Sequence, residues 1–111
     1  MRLPELAPYV VGEPYAVKGY LHTIQISLSN FVGKVSIEAC IVPNPTEEDW
    51  FKVSLGGNRE LKFDHSTTKT VGFTIKGAFV MLRGVVDREG RSIQERFNVN
   101  QLGNVDRIII K

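Results

Sequence analysis

The chain has 111 residues, a formal net charge of +2, 42% hydrophobic residues and 23% charged residues. This length suits a single domain, and the composition excludes a natively disordered chain. The net charge is too small to suggest nucleic-acid binding, and no stretch approaches the roughly 20 apolar residues of a membrane span. Cys40 is the single cysteine. It therefore cannot form an intrachain disulfide, and we expect it to behave as a small buried hydrophobe.

The first 18 residues are expected to form an extended N-terminal arm. Proline and glycine interrupt this segment repeatedly, and each proline pushes the residue before it toward extended conformations. One short strand is expected near residues 9–11. The arm either lies over its own domain or reaches a neighbouring subunit, and residues 19–111 are assigned to a β-sandwich domain.

Apolar and polar residues alternate from residue 21 onward, which predicts half-buried β-strands. Residues 21–29 and 35–41 are expected to pair as a hairpin, because 30–33 contains asparagine and glycine and reads as a turn. Pro43 ends the second strand. Thr46 and Asp49 stand three residues apart, which predicts a capped single helical turn.

The rest of the chain continues the pattern of short strands separated by turn residues. A central strand is expected at 79–86, because this segment is apolar on both faces apart from Arg83. Further strands are expected at 51–55, 61–63, 67–75, 93–99 and 105–110. About eight short strands predict an all-β fold, a single antiparallel β-sandwich of jelly-roll or immunoglobulin-like type.

The two histidines do not suggest chemistry. His22 is expected to point to solvent beside the first strand, and His65 to lie in a polar loop with Asp64 and Ser66. Neither has a Cys or His at metal-ligand spacing, and adjacent residues of one loop cannot form a catalytic triad. We therefore expect no catalytic, cofactor-binding or metal-binding residues.

An acidic cluster and an aromatic pair follow one another. Glu47, Glu48 and Asp49 are consecutive and have no loop glycine, so a solvated helical turn is favoured over a calcium site. Trp50 and Phe51 could form a platform for a sugar or a protein partner. Successive strand residues face opposite ways, however, so the favoured interpretation places one in the core and the other at the surface.

Arg83 is the polar outlier of the predicted central strand. The favoured interpretation pairs it with an acid such as Asp49 or Asp106, or exposes it, and the alternative makes it an interface anchor. Four other arginines could line one edge, but no aromatic residues are interleaved with them, so nucleic-acid binding is not expected. These four are Arg88, Arg91, Arg96 and Arg107.

Several segments also occur in a characteristic order. They are Gly19–Ile26, Ile37-Glu38-Ala39, Pro45–Phe51, Gly77–Arg83 and Val105–Ile110. In order and spacing these segments resemble small structural proteins of contractile-tailed, myovirus-like bacteriophages. The resemblance covers roughly residues 19–110, and the chain departs from it at 87–101, where the excursion is longer than the pattern predicts.

The resemblance implies a β-sandwich virion component without enzymatic activity or cofactor. Such a protein would be assembled in the host cytoplasm and would bind other virion proteins or itself. The tail or baseplate is the first location, and capsid decoration or the neck comes next. The alternative is a carbohydrate- or ligand-binding module for host adhesion, which predicts that Trp50, Tyr20 or Tyr15 stand exposed together on one face.

Overall fold

The structure, a computed structural model, describes residues 9–87 and 103–111 as an antiparallel sheet curled into a half-barrel. The strands found in these ranges are β1 (Tyr9–Ala16), β2 (Leu21–Cys40), β3 (Phe51–Lys52), β4 (Leu61–Lys76), β5 (Met81–Asp87) and β6 (Asn104–Ile110). They are hydrogen-bonded in the order β1-β5-β2-β3, and β4 and β6 also pair with β2. No helix in this part of the chain has the length and apolar character that a membrane crossing requires.

Strand β2 organises the whole sheet. Its first half pairs with β4 and β6, whereas its second half pairs mainly with β5 and β3. Between the halves, Asn30 and Gly33 adopt positive φ angles of 51° and 137°, and the register with β4 shifts. The hairpin expected here is therefore wrong. The turn residues form a bulged bend within one 20-residue strand and do not reverse the chain.

The bend turns both halves of β2 toward one core. Side chains at alternate positions of the first half meet those of the second half, of β5 and of β6. The largest of these core residues are Ile24, Ile26, Leu28, Phe31, Ile37, Leu82, Ile108 and Ile110. Each fully buried aliphatic or aromatic side chain contributes about 1.5–3 kcal/mol. Gly84 on β5 lies against the side chain of Ile108, where an added Cβ would collide, so glycine permits this close approach.

The structure confirms the all-β, antiparallel class but not a sandwich of about eight strands. Six strands belong to one curled sheet in the part of the chain that the structure describes. Two of the expected strands, 61–63 and 67–75, are one continuous strand, β4. The strand expected at 93–99 and nearly all of the 87–101 excursion lie outside the described residues.

Part of the predicted N-terminal arm is a strand of the sheet. Residues 9–16 form β1, which pairs with β5 of the same chain from Tyr9 opposite Val86 to Ala16 opposite Met81. Strand β5 thus lies between β1 and β2, as expected of a central strand. Residues 1–8 lie outside the described residues.

Candidate functional site

The most concentrated polar contact is centred on Arg83 of β5. Arg83 stands directly opposite Glu38 of β2 and is only 8% exposed. Its Nε donates to Glu38 Oε1 at 2.8 Å, and its Nη2 lies 2.7 Å from the same oxygen. Nη1 and the same Nη2 donate to Glu47 at 3.3 and 3.0 Å, and the guanidinium carbon lies 4.2 Å from the centre of the Trp50 ring. We call these four residues the Arg83 cluster.

The charges of the Arg83 cluster stabilise one another. Hydrogen bonds from Arg83, and then its charge, lower the pKa of the Glu47 carboxyl. Burial alone would lower the pKa of Arg83, but hydrogen bonds to Glu47 and Glu38 outweigh it and raise that pKa. The guanidinium is therefore held as a fixed cation between two carboxylates and an aromatic ring, an arrangement suited to holding a loop.

A short 3-10 turn at Glu47–Asp49 brings Glu47 to Arg83. The amide of Thr46 donates to Asp49 Oδ2 at 2.7 Å, and the amide of Asp49 donates to the Thr46 carbonyl at 3.0 Å, which confirms the predicted cap. The Asp49 carboxylate is engaged in this cap, and Asp106 accepts a hydrogen bond from the Ser29 hydroxyl. The expected pairing of Arg83 with either aspartate is therefore wrong, although its pairing with acids is correct.

The aromatic pair divides between two environments. The half-buried Trp50 ring has Arg83 over one face, whereas Phe51 is 44% exposed, with its ring centre 6.2 Å from that of Phe79. Tyr20 is 63% exposed, and the hydroxyl of the exposed Tyr15 donates to a β6 carbonyl at 2.6 Å. A sugar could therefore stack on Phe51 or Tyr20 more readily than on the covered face of Trp50.

Both histidines lie elsewhere than expected. His22 is only 1% exposed; its Nε2 lies 3.0 Å from the Gly77 carbonyl and its ring centre 5.7 Å from that of Phe79. His22 lies two residues before the buried Ile24 on β2, and alternate residues of a strand share a face. The two-residue periodicity of the sequence could therefore have predicted that His22 is buried. His65 is exposed within strand β4 and not in a loop.

The remaining candidates also have defined positions. Cys40 is buried, as predicted. Arg107 is exposed on β6, and the other arginines of the predicted edge lie outside the described residues. Across residues 9–87 and 103–111, no group of three or more His, Cys, Asp or Glu side chains is placed to hold a metal ion.

The outer edge of β4 is the second feature of interest, and the sequence did not single it out. In the described part of the chain, β4 pairs with β2 alone, so one side of a 16-residue strand faces outward. Val71, Phe73 and Ile75 point toward the core, while the residues between them are exposed. An unpaired strand side presents main-chain donors and acceptors to another strand. We call it the β4 edge.

Comparisons with known proteins do not show a family for this chain. A scan against models of protein families finds no match, and searches of curated proteins and of solved structures also find none. The resemblance to phage structural proteins therefore stays a prediction, and function is argued below from the contacts and edges of the molecule itself.

Proposed function

We propose that the chain is a non-enzymatic structural protein of a bacteriophage virion, where it assembles with itself or with other virion proteins. The β4 edge is the observation that carries this proposal. Among the residues that the structure describes, none pairs with the outer side of this 16-residue strand, which offers a docking surface whose affinity comes from main-chain hydrogen bonds. Repeated contacts of this kind, multiplied by symmetry, suit a component that is present in many copies.

The tail or baseplate is the proposed location, and capsid decoration or the neck is the next choice. Support for a virion comes from the order of the segments between residues 19 and 110 that resemble phage structural proteins. The proposed partners are protein surfaces, with no nucleic acid or membrane involved. A jelly-roll or immunoglobulin-like sandwich stays a proposal for the complete chain.

The Arg83 cluster fits a structural role. It fastens the acidic 3-10 turn to β5 through the buried Arg83, and so fixes the segment that leads into β3. The Glu47 side chain is 84% exposed, which leaves a negative charge at the surface of a rigid loop. Such a loop can contribute shape and charge to an assembly contact without any reacting group.

The proposal is tested by quantitative mass spectrometry of virions purified from the phage that encodes the chain. Several copies per particle, retained after a high-salt wash and a density gradient, are expected. Absence from purified particles, with the chain present in the lysate, would overturn the proposal. Light scattering on the isolated protein then tests self-association. A variant lacking residues 1–8 is preferred to one lacking 1–18, because residues 9–16 pair with β5 and their loss would expose the core.

A carbohydrate- or ligand-binding module in host adhesion is the second proposal. The observation in its favour is the exposure of aromatic rings, with Tyr20 at 63% and Phe51 at 44%. Glycan-array binding that is lost in Y20A or F51A, by a monomeric protein absent from particles, would favour this proposal over a structural role.

A further inference from the structure

The outer face of the first half of β2 holds a cavity that the proposed structural role does not use. Thr23, Gln25, Ile109 and Lys111 line it, and its volume is about 400 Å³. Ligand cavities in proteins usually measure about 300–1,000 Å³, so this one has room for a molecule of the size of a sugar. We call it the Gln25 cavity.

Strand pairing fixes the positions of the lining residues. Even-numbered residues in this half of β2 face the core, so Thr23 and Gln25 point to the other side of the sheet. Gln25 stands opposite Ile109 of β6, and Thr23 and Lys111 exchange two main-chain hydrogen bonds of 2.7 and 2.9 Å. Directly opposed residues of an antiparallel pair point to the same face. The irregularity in this pairing comes after Ser27, outside the cavity.

Gly72 of β4 widens the open space, because it stands directly opposite Gln25 and has no side chain. Glycine inside a strand is destabilising, since it loses more backbone entropy and packs nothing. An added Cβ would meet a β2 carbonyl oxygen at an ordinary contact distance of 3.7 Å, and φ is not in the left-handed region. Packing and conformation therefore do not require glycine here, in contrast to Gly84. A strand glycine of this kind marks the close approach of a ligand.

Two lysines on different strands supply positive charge to the Gln25 cavity. Lys111 lines it from β6, and Lys76 of β4 stands opposite Leu21, two residues before Thr23. Strand spacing and rise place their Cα atoms about 12 Å apart, so both flexible side chains can lean over one anion. Neither lysine forms an ion pair with a carboxylate of the described residues. Asp106, further along β6, accepts a hydrogen bond from a serine hydroxyl of β2.

The lining matches a ligand that has both a charge and several hydroxyl groups. A threonine hydroxyl and a glutamine amide offer donors and acceptors together, which suits the hydroxyl groups of a sugar. One aliphatic side chain supplies a small apolar surface, and two ammonium groups supply the charge. An inorganic anion would use the lysines alone and would leave the space above Gln25 and Gly72 unfilled.

We propose that the Gln25 cavity binds an acidic saccharide, a sugar ring that carries a carboxylate. Lys76 and Lys111 hold the carboxylate, while the Thr23 hydroxyl and the Gln25 amide bond to hydroxyls of the ring. The Ile109 side chain lies against the C–H groups of one ring face. This inference goes beyond the proposed structural role and does not rest on it, because it involves a face of the sheet and not an unpaired edge.

The experiment titrates the isotope-labelled full chain with D-glucuronate and follows its amide signals by NMR. Shifts centred on Gln25, including its side-chain amide, and on Gly72, Ile109 and Lys111 are expected, with a dissociation constant in the millimolar range. D-glucose lacks the carboxylate and inorganic phosphate lacks the ring, so each is expected to bind at least about fivefold more weakly. No shifts at these positions, or phosphate binding as tight as that of glucuronate, would overturn the inference.

Two variants test the space and the charge separately. Gly72→Thr fills the space beside Gln25 and keeps every charge, so it should weaken glucuronate binding at least about tenfold. The same variant should unfold at an equal or higher temperature, because threonine suits a strand better than glycine, and lost binding then cannot be ascribed to unfolding.

Lys76→Gln removes one cation and should weaken binding at least about threefold. Lys69→Gln is its matched control, because Lys69 belongs to the same strand but lies over the Phe63 ring, and this variant should bind as the unmodified protein does. Unchanged binding by G72T, or equal effects of K76Q and K69Q, would overturn the inference.

Discussion

Replacing Arg83 with alanine is the most informative test of how the fold is held together. The substitution removes the cation that lies between Glu38 and Glu47 and over the Trp50 ring. The Arg83 and Glu38 side chains are only 10% and 17% exposed. Removing the guanidinium therefore leaves the Glu38 carboxylate largely desolvated and without its counter-charge.

The expected cost follows from these contacts. Breaking one partner of a buried ion pair costs about 3–5 kcal/mol, and the residual exposure of Glu38 argues for the lower end. Loss of the Trp50 contact adds about 0.5–2 kcal/mol. We expect R83A to lower the free energy of unfolding by about 3–5 kcal/mol in total. E38A is expected to cost less, and E47A least of all because Glu47 is 84% exposed.

Urea unfolding followed by tryptophan fluorescence measures this free energy, with circular dichroism as the second probe. Arg107→Ala is the matched control, because Arg107 is an exposed arginine on β6 and should cost less than about 0.5 kcal/mol. The double variant R83A/E38A should be more stable than R83A, because the Glu38 carboxylate that R83A leaves without a counter-charge is also removed. A cost for R83A no larger than that for R107A would refute the reasoning.

Three further predictions concern pH, backbone conformation and the thiol. Arg83 lowers the folded-state pKa of Glu47, so this carboxyl contributes stability above its usual pKa near 4.5, and that stability is lost as pH falls through the folded pKa. E47Q should therefore lose less stability than the unmodified protein between pH 6 and pH 3. An equal loss of stability in both proteins would contradict this. G103A should destabilise far more than G19A in thermal unfolding, since both glycines have positive φ but only at Gly103 would a Cβ strike a main-chain carbonyl of β2. Cys40 should react with a thiol reagent only as fast as the native protein opens, so equal rates in buffer and in denaturant would show that it is not buried.

The strands were largely predictable, but their connections were not. Alternation of apolar and polar residues identifies both halves of β2, and the continuous apolar run around Arg83 identifies β5. Asn30 and Gly33 suggest a hairpin turn, but the positive φ that suits such a turn also suits a bulge, which is what the structure contains. The choice between a turn and a bulge is decided by pairing with β4, a strand more than 30 residues further along the chain. Local sequence cannot reveal that pairing.

The Arg83 cluster was half predictable. An arginine in an otherwise apolar strand predicts a buried cation that needs acidic partners, and Arg83 does have acidic partners in the structure. The identity of Glu38 depends on β5 lying beside β2 in a particular register, which is a property of the sheet and not of either segment. Asp49 is a poor partner for Arg83, because the capping pattern with Thr46 already assigns its carboxylate another role.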